Sequence, residues 1–69
     1  MDPKQIQAKI TEGDVMLRRG DYDAALTAYQ QGLRLDPSNS ALRQKFETTK
    51  HACVQEKSIL GGANKCEPQ

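Results

Sequence analysis

Residues 19–39 read RGDYDAALTAYQQGLRLDPSN and hold the end of one helix, a complete second helix and the start of a third. Gly20 can take the left-handed conformation that ends a helix, and Asp21 is a good N-cap for the next one. The Asp36-Pro37 pair ends that second helix, because a proline pushes the residue before it out of the α region. Between these signals, apolar side chains recur at helical spacing, namely Tyr22, Leu26, Tyr29 and Leu33. The stretch therefore predicts a tight helical hairpin followed by a new helix.

Small residues beside this apolar stripe indicate where a neighbouring helix comes close. Ala25 and Gly32 flank the stripe, and a glycine inside a helix costs about 1 kcal/mol relative to alanine. Gly13 holds a similar place in the preceding helix. We expect the backbones of the first two helices to approach each other closely at these glycines.

The preceding helix is predicted over residues 3–19. Asp2 suits the N-cap of this helix, and Pro3 suits its first position. Arg18 and Arg19 favour the negative end of the helix dipole. The apolar stripe of this helix consists of Ile6, Ile10, Gly13 and Leu17.

The third helix is predicted over residues 39–60, with Ser38 or Asn39 as its cap. Its apolar side consists of Leu42, Phe46, Thr49 and Cys53, with a weaker extension to Ile59 and Leu60. The connections are short, so successive helices should lie antiparallel. The predicted fold is all-α, with three antiparallel helices in one domain of residues 1–60. Residues 61–69 have nothing to bury and are predicted to form a disordered tail.

Composition excludes several function classes. The chain has 69 residues, with ten Lys and Arg against nine Asp and Glu, for a net charge of +1. These charges alternate in sign along the chain, whereas nucleic-acid binding requires a clustered basic excess. Membrane insertion is not expected either, because no apolar run approaches the roughly 20 residues of a membrane span. The N-terminus has no hydrophobic stretch of the kind found in signal peptides, so we expect a cytoplasmic location.

The chain has too few residues of the types that catalysis or metal binding requires. Cys53, Cys66 and His51 are the only cysteine and histidine side chains, while a structural zinc ion needs four ligands. Their spacing suggests no disulfide framework, so both cysteines are expected to be reduced thiols. His51 has no nucleophile at a spacing that would make it a general base. We therefore expect neither enzyme activity nor a cofactor.

Residues 6–39 resemble a tetratricopeptide repeat (TPR), a helical hairpin of 34 residues. Gly13 falls on the small position of the first helix, and Gly20-Asp21-Tyr22-Asp23 matches the turn. Ala25, Tyr29 and Gly32 match the small, aromatic and small positions of the second helix. The ending is matched by Leu33, Leu35, Asp36, Pro37 and Asn39. On this resemblance, residues 40 to about 60 form the solvating helix that closes many repeat arrays.

The first half of the repeat departs from the pattern. Lys9 and Glu12 stand where the family has large apolar residues that help to pack a preceding repeat. At the other end, Arg43, Glu47 and Lys50 stand where a following repeat would dock. We therefore expect a single repeat that is capped on both sides.

The resemblance implies a non-enzymatic protein-interaction module with a groove lined by the first helix of each pair. Mapped onto this chain, the groove positions are Gln7, Ile10, Asp14, Leu17, Arg18, Ala41, Gln44, Lys45, Thr48 and His51. One TPR subclass clamps the C-terminal carboxylate of heat-shock chaperones with Lys, Asn and Arg side chains. The clamp positions here carry Ile10, Asp14, Ala41 and Lys45, of which Lys45 alone is suitable. The preferred ligand should instead be a short amphipathic segment with an apolar anchor and a nearby acid.

Two other interpretations remain open at the level of sequence. A microtubule-interacting-and-transport (MIT) domain is also three helices of similar length, and it binds helical tails of membrane-remodelling proteins. The chain is also consistent with a scaffold or self-associating segment that buries Ile59 and Leu60 against another copy. The expected partner is a protein or peptide, and the chain itself is expected to be a monomer or to self-associate weakly.

Overall fold

The computed structural model describes residues 2–60 and Cys66, with side chains described through residue 56 and at Cys66. It contains α1 (Pro3–Arg18), α2 (Tyr22–Leu35) and α3 (Ser40–Leu60). This confirms the predicted all-α fold of three helices. The observed bounds of α2 are those predicted, and α1 and α3 are each one residue shorter than expected.

Side chains at the helix starts satisfy backbone N–H groups that have no partner within the helix. The carboxylate of Asp2 accepts from the Lys4 N–H at 2.9 Å, and that of Asp21 accepts from the Ala24 N–H at 3.2 Å. The Asn39 side chain accepts from the Leu42 N–H at 3.0 Å, which makes Asn39 the cap of α3. Gly20 has a φ of +79°, the left-handed conformation that the turn between α1 and α2 requires.

The closest approach of α1 and α2 is between Gly13 and Tyr29. A Cβ atom placed on Gly13 would lie 2.6 Å from Cδ1 and 2.8 Å from Cζ of the Tyr29 ring, and closer still to Cε1. The backbone of α1 therefore packs directly against this aromatic ring. Tyr29 itself is completely buried. The expected close contact at Gly13 is thus present, and glycine is the residue that allows it.

The main core lies around α2, which contributes residues to both hydrophobic clusters of the described residues. Ile6 of α1 and Leu42 of α3 pack with Ala25 and Tyr29 of α2. Gly32 has a second packing role, because a Cβ there would lie 2.9 Å from a methyl carbon of Leu42. This glycine lets α3 approach α2, so the two helix glycines serve two different helix pairs.

A second hydrophobic cluster contains a disulfide bond. Cys53 of α3 is joined to Cys66, with 5.8 Å between their Cα atoms, and both cysteines are buried together with Leu26 of α2. Tyr22 and Phe46 pack against the cluster. The prediction of two reduced thiols was therefore wrong. Cys53 was correctly placed on the apolar side of α3, but its distant partner could not be inferred from a spacing of 13 residues.

The domain boundary predicted at residue 60 coincides with the end of the continuous range of residues that the structure describes. Of the tail predicted over residues 61–69, Cys66 alone is described, and 5% of its surface is exposed. The remaining residues of that tail lie outside the described part, as do the side chains of Ile59 and Leu60. The division into a domain of residues 1–60 and a disordered tail remains a prediction.

Gly13→Ala should destabilise the domain, although Gly-to-Ala changes inside helices normally stabilise by about 1 kcal/mol. The new methyl group would meet the Tyr29 ring, and overpacking of this kind costs about 1–3 kcal/mol. Urea denaturation monitored by circular dichroism would measure the change in the free energy of unfolding.

The matched control is Gly32→Ala, where the obstructing atoms belong to the end of the flexible Leu42 side chain. Its cost should be smaller than that of Gly13→Ala. A Gly13→Ala variant at least as stable as the parent would show that α1 does not rest on Tyr29.

Candidate functional site

A cleft of about 390 Å³ opens between α1 and α3. The lining residues on α3 recur at intervals of three and four residues, which places them on one face of the helix. Tyr29 and Thr49 are buried and lie at its base, while Ala41, Gln44 and Thr48 are exposed. The complete lining is Leu17, Tyr29, Ala41, Gln44, Lys45, Thr48 and Thr49.

A polar network at the cleft joins all three helices. The Tyr29 hydroxyl of α2 donates a short hydrogen bond to Oδ1 of Asp14 on α1. Lys45 Nζ of α3 donates to the same oxygen at 3.2 Å and lies 3.5 Å from Oδ2. A buried tyrosine hydroxyl needs a partner, and Asp14 supplies it. These bonds fix the positions of α1 and α3 along α2 at the point where Tyr29 lies.

The network also shifts the ionisation of its members. Burial alone would raise the pKa of Asp14. The hydrogen bonds from Tyr29 and Lys45, together with the positive charges of Lys45 and Arg18, outweigh burial and lower that pKa below its ordinary value. The pKa of Tyr29 is raised, first by burial and then by its hydrogen bond to the Asp14 carboxylate and the charge of that group. At neutral pH the side chain of Asp14 is therefore a carboxylate, and that of Tyr29 is a neutral phenol.

The structure brings together part of the predicted groove. Leu17, Lys45 and Thr48 line the cleft, as do Ala41 and Gln44, and Asp14 borders it through its bonds to Tyr29 and Lys45. Four other predicted positions do not line it, namely Gln7, Ile10, Arg18 and His51.

The four outlying residues have other surroundings. Ile10 is half-buried and packs against the main core, which explains its place in the α1 stripe. The Gln7 side chain donates to the Thr11 hydroxyl at 3.3 Å on the exposed surface of α1. Arg18 is exposed at the last position of α1, and His51 is exposed on α3. Arg18 nevertheless influences the cleft through its charge, which helps to lower the pKa of Asp14.

Sequence reasoning missed two lining residues, Tyr29 and Thr49. Both had been assigned to apolar stripes, and both are indeed buried. The hydroxyl of Tyr29 could have placed this residue at the cleft, because a hydroxyl can bond to a carboxylate and Asp14 was the one acid assigned to the groove. Thr49 follows Lys45 by four residues and therefore lies on the same face of α3.

The cleft is suited to binding a side chain or a short segment of another chain. Leu17 and Ala41 provide apolar surface, and Gln44 and Thr48 offer hydrogen-bonding groups at the rim. Among the residues that the structure describes, no three His, Cys, Asp or Glu side chains are grouped to hold a metal ion. In that same part of the chain, no helix is both long and apolar enough to cross a bilayer.

Comparisons with known proteins agree with the hairpin geometry. Residues 13–43 match the family model of a TPR repeat, so the chain carries a TPR-like repeat. Over 64 residues the chain is 34% identical to the DnaJ protein P58IPK homolog of Arabidopsis thaliana. The match covers 93% of this chain and 13% of that relative, so the chain spans a small part of the relative's length. Among solved structures there is no significant match.

The lowered pKa of Asp14 gives the domain a defined response to acid. A carboxyl whose pKa is depressed by folding stabilises the native state above its unfolded-state pKa of about 3.9, and this stabilisation is lost as the pH falls through the lower native-state pKa. The difference in unfolding free energy between the parent and Asp14→Asn should therefore be largest at neutral pH and shrink in acid. Chemical denaturation at a series of pH values would measure it.

Glu47→Gln is the matched control, because it removes an exposed carboxylate of α3 outside the network. Its effect on the unfolding free energy should be small. If Asp14→Asn and Glu47→Gln gave the same pH dependence, the network would not contribute to stability.

Proposed function

We propose that this chain is a non-enzymatic protein-interaction module whose TPR-like hairpin binds a short peptide segment of a partner protein in the cleft between α1 and α3. The observation that supports this function best is the cleft itself. It lies between the first helix of the hairpin and the helix that follows it, which is where the resemblance to TPR repeats implied a groove. Its volume falls near the lower end of the roughly 300–1,000 Å³ typical of ligand pockets.

The residues that line the cleft favour a ligand that inserts one apolar side chain as an anchor. Leu17 is half-buried beside the cleft, and the methyl group of Ala41 faces it from α3. The base is formed by Tyr29, whose hydroxyl is already bonded to Asp14. A medium-sized aliphatic or aromatic side chain would be favoured by this surface. Gln44 and Thr48 at the rim can hydrogen-bond to the backbone of the bound segment.

Charges at the cleft favour an acidic group next to that anchor, and they favour Arg18 as its partner. Lys45 and Asp14 largely neutralise each other, because their side chains lie 3.2 Å apart. Within residues 2–56, the side chain of Arg18 takes part in no hydrogen bond or ion pair and remains available to a ligand. A ligand acid would therefore meet Arg18 before it could displace Asp14 from Lys45. Such rim charges act mainly on the association rate and its salt dependence.

The affinity should be micromolar or weaker. A standard protein interface buries roughly 800 Å² on each partner, which a single repeat of this size cannot supply in one cleft. Tighter binding would require further surface from the protein that contains this module.

The relative suggests a setting for the module. That relative is a DnaJ protein, which is in keeping with a role of this module as part of a larger scaffold or co-chaperone-like protein. A cytoplasmic location remains a prediction, and the disulfide argues against it, because disulfides persist mainly in oxidising compartments. A monomer that at most self-associates weakly remains the expected state.

Ala41→Leu should abolish peptide binding without disturbing the fold. Ala41 is exposed at the cleft, so a larger side chain would fill the space that the ligand anchor needs. Peptides selected from a random library on the parent domain would serve as probes, with affinity measured by titration and the fold checked by circular dichroism.

Arg18→Glu should weaken binding of acidic probes by up to about fivefold and leave neutral probes unaffected, because an exposed charge pair contributes about 0.2–1 kcal/mol.

The matched control is Ala8→Leu, the same change at an exposed position of α1 that does not line the cleft. It should bind the probes as the parent does. Unchanged binding by a folded Ala41→Leu domain would place the site elsewhere, and sedimentation would then test whether a second copy of the chain is the partner.

A further inference from the structure

We infer that Asp14 determines where an acidic group of a ligand can lie in the cleft. Its carboxylate pairs with the ammonium group of Lys45 and confines the acid of the ligand to the side of Arg18. This inference rests on the proposed function, because it concerns the specificity of the same cleft. Asp14 thereby selects one placement of negative charge along a bound peptide.

The carboxylate of Asp14 is held in a fixed position by a buried group. Its Oδ1 atom accepts the short hydrogen bond from the Tyr29 hydroxyl, and the same oxygen accepts from Lys45 Nζ at 3.2 Å. Tyr29 is completely buried, and its ring packs against the backbone of Gly13. Exposed ion pairs are weak in part because two flexible side chains must be ordered to form them. In this pair the carboxylate is already ordered by its bond to Tyr29.

The directions of the helices determine the order of the charges along the cleft. Gly13 of α1 packs against Tyr29 of α2. One turn earlier on α1, Lys9 approaches Gly32, which lies three residues further along α2, so α1 and α2 are antiparallel. α3 is antiparallel to α2 as well, since Leu42 near its start meets Gly32 near the end of α2. α1 and α3 therefore run in the same direction along the two sides of the cleft.

The two cations at the cleft lie at different levels. Lys45 of α3 faces Asp14 of α1 across the cleft. Arg18 follows Asp14 by four residues and therefore lies about 6 Å further along α1. Since α1 and α3 run in the same direction, the lining residues Thr48 and Thr49 lie near the level of Arg18. The cleft thus continues from the ion pair to the level of the second cation.

An acidic group of a ligand would meet different surroundings at these two levels. Beside Lys45 it would meet an ammonium group that is already paired, together with the negative charge of Asp14. One turn further, the side chain of Arg18 takes part in no hydrogen bond or ion pair within residues 2–56. Like charges repel and an unpaired cation attracts an acid. The acid is therefore disfavoured beside Lys45 and favoured beside Arg18.

The test is a scan of peptide probes with the parent domain and Asp14→Asn, which removes the charge and keeps an oxygen that can accept from Tyr29. Neutral peptides selected on the parent serve as probes, with one aspartate introduced in turn at each position on either side of the apolar anchor. The parent should favour the aspartate on one side of the anchor only. Asp14→Asn should bind probes with the aspartate on the other side about two- to fivefold more tightly than the parent does. Neutral probes should bind both domains equally.

Two control variants separate the ion pair from a general effect of charge. Glu47→Gln changes the net charge by the same amount at an exposed position of α3 outside the network, and it should give the scan of the parent. Asp14→Asn combined with Lys45→Met removes both charges of the pair. This double variant should bind acidic probes as the parent does, because the gain requires a free Lys45. Circular dichroism checks the fold of each variant.

Three results would overturn the inference and leave the proposed function standing, because the neutral probes would still bind. They are a parent scan that favours the aspartate equally on both sides, a gain of equal size in Glu47→Gln, and unchanged binding by folded Asp14→Asn. A library that yields no probe on the parent or on Asp14→Asn would overturn the proposed function and, with it, this inference. Should Asp14→Asn fail to fold, the scan of the parent domain decides.

Discussion

The contact between Gly13 and the Tyr29 ring is the constraint on which the remaining structure depends. Because Gly13 has no Cβ, the backbone of α1 can lie against the Tyr29 ring, and the next residue, Asp14, comes within reach of the ring hydroxyl. Asp14 in turn binds Lys45 of α3. One close backbone approach therefore sets the spacing of the hairpin, satisfies a buried hydroxyl, and fixes the base and one edge of the cleft.

The helix at the centre, α2, carries two separate packing surfaces. Ala25 and Tyr29 form the core that receives α1 and the first half of α3, and Leu26 belongs to the cluster that contains the disulfide. α1 and α3 are attached to α2 in different ways. α1 is held by close packing over its length, whereas the second half of α3 packs on α2 through a few buried side chains, among them Cys53.

Local signals made the helices predictable, whereas long-range contacts limited the prediction of the site. Caps such as Asp2, Asp21 and Asn39 act within three residues, and the left-handed Gly20 acts at one, so the sequence alone contains them. The cleft residues Leu17, Lys45 and Thr48 followed from the resemblance to TPR repeats. Tyr29 and Thr49 had been assigned to the core, because a periodic pattern cannot show that a buried residue also borders an opening. The pairing of Cys53 with Cys66 depends on the path of the chain after α3, on which helical periodicity carries no information.

The burial of Tyr29 has an optical consequence. The chain has no tryptophan, so its near-ultraviolet circular dichroism comes from two tyrosines, one phenylalanine and the disulfide. Signals in this region require side chains held in one fixed asymmetric setting. Tyr29 is completely buried, whereas Tyr22 is partly exposed near the turn. The tyrosine band of this domain therefore reports chiefly on a single ring, and the environment it senses is the backbone of Gly13.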